Sequence, residues 1–301
     1  MKLASIPVSA ITLRRVVFGT DFSEESSHAL EYVLALNRNY AATIFITHVI
    51  DPLSFQFGEE SVTVQKRVEI RDDAYTKLHE LRARSGIQGP DFTPIVLEGE
   101  VSTAIDKFVE NENIDLIVLG SRGGIGLDRF FLGSVSEEIF RTVHCPVMII
   151  GPEVSQTANA IDFENVLFAT DFSTHAKAAL PYLMFFLNEN PSARVTLAHF
   201  IHPDIQAPSE RQRMRRRFEA ELREMLPEAF QDQIADAVVE FCPTADGIVE
   251  FANCCPTDLI ILGVRDGGAF ARAITHGPSS ITHEVVAKAP CPVLTVRGSS
   301  R

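Results

Sequence analysis

Short apolar runs alternate along this chain with longer stretches whose apolar positions recur at helical spacing. Val16-Val17-Phe18, the stretch 43–49, the stretch 92–97, Leu116 to Leu119 and Val147 to Ile150 read as buried strands. Between the first two, Ser23 is placed to cap a helix running to about Asn39, with Ala29, Leu30, Val33, Leu34 and Leu36 on one face. Further helices are expected over 62–85, from near Ser102, and over 134–143. The same order returns later, with strands near 164–169, 194–200, 235–241, 258–262 and 292–296. Strand and helix in strict alternation predict a parallel sheet covered on both faces.

The alternation is written twice. VVFGTDFS at 16–23 and VLFATDFS at 166–173 agree at six of eight positions, and CPVMIIG at 145–151 returns as CPVLTVR at 291–297. The fold class is therefore α/β, with two tandem doubly wound five-stranded parallel sheets of strand order 3-2-1-4-5. Residues 1–151 form the first domain and 163–301 the second. The polar, aperiodic segment 152–162 links them.

In such sheets ligands sit beyond the carboxyl ends of the strands, where the winding reverses between strands one and four. Asp21 and Gly120 fall at those two ends, about a hundred residues apart in sequence. From Gly120 the chain continues GSRGGIGLDRFFLGSVS to Ser136, a glycine-rich loop opening into a helix at Gly133-Ser134. Glycines let peptide N–H groups approach phosphate oxygens, and Ser134 and Ser136 add hydroxyls at a helix N-terminus that favours anions. The loop lacks the lysine of a P-loop and follows the wrong strand for a dinucleotide fingerprint. A flexible loop with a serine cap is the plainer reading of its glycines. Asp21 likewise has a plainer role as an Asx turn ahead of the Ser23 cap, and Arg122 and Arg129 as solvated charges.

Composition narrows the setting. The chain has 301 residues, 46% of them apolar, and a net charge of −13, which argues against nucleic acid as a general partner. Five cysteines without a CxxC pair point to reduced thiols in a cytoplasm, and the vicinal pair Cys254-Cys255 is expected to pack near a helix end. A short N-terminal apolar stretch broken by Ser5 and Pro7 argues against export, and no run approaches a membrane span.

With TDFS, His48-Val49-Ile50-Asp51, the spacing Gly120, Gly123, Gly133-Ser134 and Cys145-Pro146-Val147 in place, the chain resembles the universal stress protein family in its tandem form. The resemblance covers about 15–151 and 163–297. It implies an adenine nucleotide alpha hydrolase-like fold and, in the first domain, a site for ATP with Mg²⁺. On this reading Asp21 lies near the ribose, Thr20 before it also belongs to the nucleotide site, and the backbone of Val49 lies against adenine. Leu119, Gly120, Arg122 and Gly123 surround ribose and phosphates, and Gly133, Ser134, Val135 and Ser136 hold the phosphate tail. Gly19 departs from the proline common in ATP-binding relatives. The resemblance also implies pairing of the last strands of the two domains about a pseudo-twofold, with further homodimerisation open.

The second domain departs further. Gly263 matches Gly120, but Asp266 stands in place of Gly123, Gly267 follows one residue late, and Ser279-Ser280 replaces Gly133-Ser134. A carboxylate there opposes phosphate, so weaker or absent binding is expected, with Asp171, Gly263 and Ser280 as remnants. His199 and His202 lie on opposite strand faces and His48 repeats His199, which favours structure over a metal pair. Arg211 to Arg217 reads as a solvated helix face, since Met214, Phe218, Leu222 and Met225 take the buried spacing. No nucleophile motif or placed general base is evident, so the expected protein is a nucleotide-binding switch in the stress response and at most a slow ATPase. The rival is a nucleotide-independent interaction module with an unknown protein partner.

Overall fold

A computed structural model describes residues 11–51, 60–86, 91–121, 136, 138–139, 142–154, 162–203, 207–264 and 281–298. Contacts divide the chain into two compact units, Leu13–Pro152 with 156–160, and Ile161–Arg301 with two short earlier pieces.

The first unit opens with β1 (Arg15–Gly19), α1 (Glu24–Tyr40), β2 (Thr43–Ile50) and α2 (Glu60–Ser85). β3 (Phe92–Glu98), α3 (Val101–Glu112), β4 (Leu116–Gly120) and β5 (Val147–Ile150) complete it. Its strands lie in the order β3-β2-β1-β4-β5, and each neighbouring pair is parallel. β4 and β5 are buried at every position, as expected of strands covered on both faces. Asp115 fixes the start of this layer, accepting the N–H groups of Arg14 and Arg15 at 2.9 Å each.

α1 begins where the Ser23 hydroxyl accepts the N–H of Ser26, and it ends at Ala41 in the left-handed region. Ala29, Leu30, Val33 and Leu36 are buried as expected, joined by Tyr32 and Ala35, while Leu34 is half-buried. The stripe is wider than one apolar line because α1 lies across the buried β1–β4 side of the sheet. α3 starts one residue before the expected Ser102, because Glu100 rather than a hydroxyl residue serves as its cap.

The second unit repeats the plan. Its strands are β6 (Asn165–Ala169), β7 (Arg194–Ile201), β8 (Ile234–Phe241), β9 (Leu259–Val264) and β10 (Val293–Arg297), in the order β8-β7-β6-β9-β10. All four pairings are parallel. The helix after β6 is split into α4 (Thr174–Ala178) and α5 (Leu180–Glu189), with Pro181 at the start of the second piece. α6 (Pro208–Arg223), α7 (Thr244–Cys254) and α8 (Ile281–Lys288) follow, with a short 3₁₀ turn at Glu228–Gln233.

α6 buries Leu222 and half-buries Met214 and Phe218, with Met225 half-buried just past its end; Arg213, Arg215, Arg216 and Arg217 stay exposed, whereas Arg211 is half-buried over the Phe241 ring and donates to the Pro203 carbonyl. Arg215 pairs with Glu240 and Arg217 with Glu221, which is the arrangement of a solvated face. Cys254, expected to pack, is exposed as the last residue of α7, and Cys255 is half-buried where the backbone turns extended. Burial pushes the Cys145 thiol far above its ordinary range and the Cys291 thiol up to about 12, so both behave as core residues.

Candidate nucleotide site

The carboxyl end of β1 is set by a three-residue turn. Thr20 N–H donates to the Thr47 carbonyl at 2.9 Å, which continues the ladder one step past Gly19. The chain then reverses through Phe22, a non-glycine residue at φ +66°. Three side chains hold this conformation. Thr20 Oγ1 accepts Phe22 N–H at 3.0 Å and bonds the buried Ser26 hydroxyl at 2.8 Å. Asp21 Oδ1 accepts Ser23 N–H at 3.0 Å, and Ser23 Oγ accepts Ser26 N–H at 3.1 Å. The Asx turn and the helix cap are both present, and the exposed Asp21 carboxylate stands at the strand end.

His48 clamps the turn from β2. Its Nδ1 lies 2.8 Å from the Thr20 carbonyl, so the ring nitrogen donates, and its ring lies 4.4 Å from that of Phe22. Burial lowers the His48 pKa, opposed by the Thr20 carbonyl and the Asp21 charge, so the ring is neutral near pH 7. Lys77 Nζ sits 5.5 Å from the Phe22 ring centre and 2.7 Å from Asp73. This arrangement gives His48 a structural part. Among the described residues no group of three His, Cys, Asp or Glu is placed to hold a metal.

Strand register assembles the rest. Gly19 pairs with Leu119 on one side and with Thr47 on the other. Gly120 therefore lies level with Thr20, and Asp21 lies one residue beyond. β2 runs on through His48, Val49 and Ile50 after β1 has turned away, which carries the half-buried Val49 past the last β1 pair. A Cβ at Gly19 would lie 2.5 Å from Leu119 Cδ2, the far end of a side chain that can shift. Ser136 is buried, and its hydroxyl donates to the Gly120 carbonyl at 2.9 Å. That bond holds the helix after the glycine loop against the end of β4. It also commits the one hydroxyl hydrogen of Ser136, whose contribution to an anion site is therefore to hold the helix start in place.

Thr20, Asp21, Leu119, Gly120 and Ser136 thus converge at the ends of β1 and β4, with Val49 on the neighbouring strand. Arg122, Gly123, Gly133, Ser134 and Val135 lie outside the described residues, as do Arg129, Asp266, Gly267, Ser279 and Ser280. An exposed carboxylate and an extended β2 edge stand beside a strand that ends in glycine.

The second unit keeps the turn. Phe172 stands at φ +60°, its N–H donates to Thr170 Oγ1 at 3.0 Å, and Ser173 N–H donates to Asp171 Oδ1 at 2.9 Å. His199 Nδ1 lies 2.8 Å from the Thr170 carbonyl, as His48 does from Thr20. The surroundings differ. Ala176 occupies the place of Ser26, so the buried hydroxyl pair is missing. Phe218 of α6 packs on Phe172 and His199 with ring centres 5.5 and 4.7 Å away. A Cβ at Gly263 would lie 2.3 Å from both Ala176 Cα and the His175 carbonyl oxygen, so the α4 backbone packs directly on that glycine.

A doubly wound unit with a charged turn at its switch point, used twice, defines the class. The chain belongs to the universal stress protein family, whose model matches residues 12–151 and again 162–297. A universal stress protein of Methanocaldococcus jannaschii is 28% identical over 141 residues, covering 46% of this chain and 81% of its own. A second from the same organism is 24% identical over 156 residues, covering 47% and 96%. The crystal structure of a universal stress protein from Archaeoglobus fulgidus shares the fold over 95% of this chain and 98% of its own, with TM-score 0.71 and 22% identity.

Proposed function

We propose that the first unit binds ATP with Mg²⁺ and that occupancy of this site is the signal of a cytoplasmic stress-response switch. The observation that carries the reading is the meeting of Asp21 and Gly120 at adjacent strand ends, with Ser136 bonded to the Gly120 carbonyl. Ligands of doubly wound sheets sit at this place. Ribose hydroxyls find an acceptor in Asp21, adenine meets the β2 edge at Val49, and the phosphates lie over the loop that leaves Gly120. Arg122, Gly123, Gly133, Ser134 and Val135 belong to that loop and are proposed to line the phosphate path. The switching energy comes from a difference in affinity between two loop arrangements. Five free cysteines agree with a reducing compartment.

Calorimetric titration of Mg·ATP into the full chain and into Gly123→Val tests the reading. Heat in the wild type that is lost in the variant is the expected result, because a branched side chain blocks main-chain approach to phosphate. No heat in the wild type sinks the proposal and leaves a nucleotide-independent interaction module.

A further inference from the structure

One hydroxyl of the first unit sits between two carboxylates. Ser102, buried in the first turn of α3, has its Oγ 2.7 Å from Glu100 Oε1 and 2.9 Å from Glu138 Oε1. Glu100 also accepts Ser102 N–H at 3.0 Å and, through Oε2, Thr103 N–H at 2.8 Å, which makes it the α3 cap. Glu138 lies on the helix that follows the glycine loop, two residues after Ser136. That helix is marked by Thr142 Oγ1 donating to the Glu138 carbonyl and Val143 N–H to the Ile139 carbonyl.

A serine hydroxyl carries one hydrogen and can satisfy one of these carboxylates. Glu100 faces four donors at a helix N-terminus, the hydroxyls and N–H groups of Ser102 and Thr103, and an anion is favoured there, so it takes the serine hydrogen. The 2.9 Å contact to Glu138 is then cohesive only when Glu138 supplies a hydrogen of its own.

We propose that Ser102 and Glu138 are positioning residues for the phosphate end of the nucleotide site. A proton held between them ties the helix carrying Ser136 to the start of α3, and Mg·ATP affinity rises as that proton is taken up. This rests on the nucleotide reading above. Without the proton, two carboxylates face each other across one hydroxyl, and the helix that holds Ser136 against Gly120 loses its second anchor.

The electrostatics agree with the geometry. Glu138 is exposed as a residue, yet partial desolvation of its carboxyl raises its pKa, and the hydrogen bond and charge of Glu100 raise it further against the Ser102 hydrogen bond. Burial also pushes Glu100 up, but the hydroxyls and N–H groups of Thr103 and Ser102 outweigh it and hold Glu100 at about 2. Of the other charged groups nearby, Asp106 lies one turn along α3 and faces His144 at 4.0 Å, and Lys107 follows it on α3. The stabilisation from Glu138 is complete below its unfolded value and is lost as pH rises through its raised folded value. That from Glu100 is present above its unfolded value and is lost as pH falls through about 2.

The test uses the full chain as wild type, Glu138→Gln, Ser102→Ala and the double variant. Hydrogen exchange of the peptide spanning 136–148 is followed without nucleotide, and Mg·ATP affinity is followed by calorimetry, from about pH 5 to about pH 8. Glutamine carries a donor at every pH. Its exchange profile, taken as protection relative to the intrinsic amide rate at each pH, is therefore expected to be flat, and its affinity about three- to tenfold above wild type at the alkaline end, converging at the acid end. Protonation of ATP itself cancels in this ratio. Ser102→Ala is expected to abolish the glutamine advantage in the double variant, an effect that a purely structural role for Glu138 would not produce. A wild-type exchange profile parallel to that of Glu138→Gln overturns the proposal. A pH-dependent exchange profile with no ATP heat at any pH keeps the proton link and overturns the nucleotide reading instead.

Discussion

The two units carry the same turn in different company. Thr20-Asp21-Phe22-Ser23 and Thr170-Asp171-Phe172-Ser173 share every hydrogen bond of the reversal, the left-handed phenylalanine and the histidine clamp from the next strand. What surrounds the turns differs. In the first, a serine hydroxyl backs the threonine and a lysine stands over the phenylalanine ring. In the second, an alanine replaces the serine and Phe218 stacks on the phenylalanine ring. The turn is a device of the fold and says little about ligand binding by itself. Among the described residues, the difference between the units lies in what packs around the turns.

That comparison can be strained at three levels. The largest effect is expected from Gly263→Val, whose side chain has no room beside the His175–Ala176 backbone. It should cost the second unit about 3 kcal/mol, read as faster hydrogen exchange in peptides of β9 and α4, with peptides of the first unit unchanged. Uniform exchange changes across both units would show that the crowding at Gly263 is not local.

Next comes the threonine at each turn. Thr20→Val removes a hydroxyl that bonds both Phe22 N–H and Ser26, and is expected to cost about 2 kcal/mol. Thr170→Val removes the bond to Phe172 N–H without a buried serine partner, and should cost about 1 kcal/mol. Equal costs from denaturation followed by circular dichroism would erase this distinction between the units. The chain has no tryptophan to report by fluorescence.

The smallest effect is the one expected to be the same in both. Ser23→Ala and Ser173→Ala each remove a side-chain cap, and each should lower stability by about 1 kcal/mol. Unequal losses would mean that the caps are less alike than their geometry, since Ser26 and Ala176 both donate N–H at 3.1 Å.

Much of this architecture is legible in the chain. Strands buried on both faces appear as near-continuous runs such as Leu116 to Leu119, and the repeated TDFS marks where each first strand must turn. The Asx turn and serine cap follow from local spacing. Long-range partners do not. Nothing local to His48 says that its ring nitrogen meets a carbonyl 28 residues back, or that Ser102 meets a carboxylate 36 residues on. The left-handed phenylalanines are also invisible locally, because that conformation is imposed by hydrogen bonds around residues whose own preference opposes it. Glu100 escapes notice as a cap because Ser102 is the better local candidate and glutamate an unusual one. The exposure of Cys254 depends on where α7 ends, and composition carries no information on that point.

The central claim is that one of the two units holds ATP. Counting Mg·ATP per chain by native mass spectrometry, at concentrations spanning the calorimetric midpoint, tests it most directly. One nucleotide per chain, lost in Gly123→Val, is the predicted result. Two nucleotides bound with matched affinity, or none at any concentration, would contradict it.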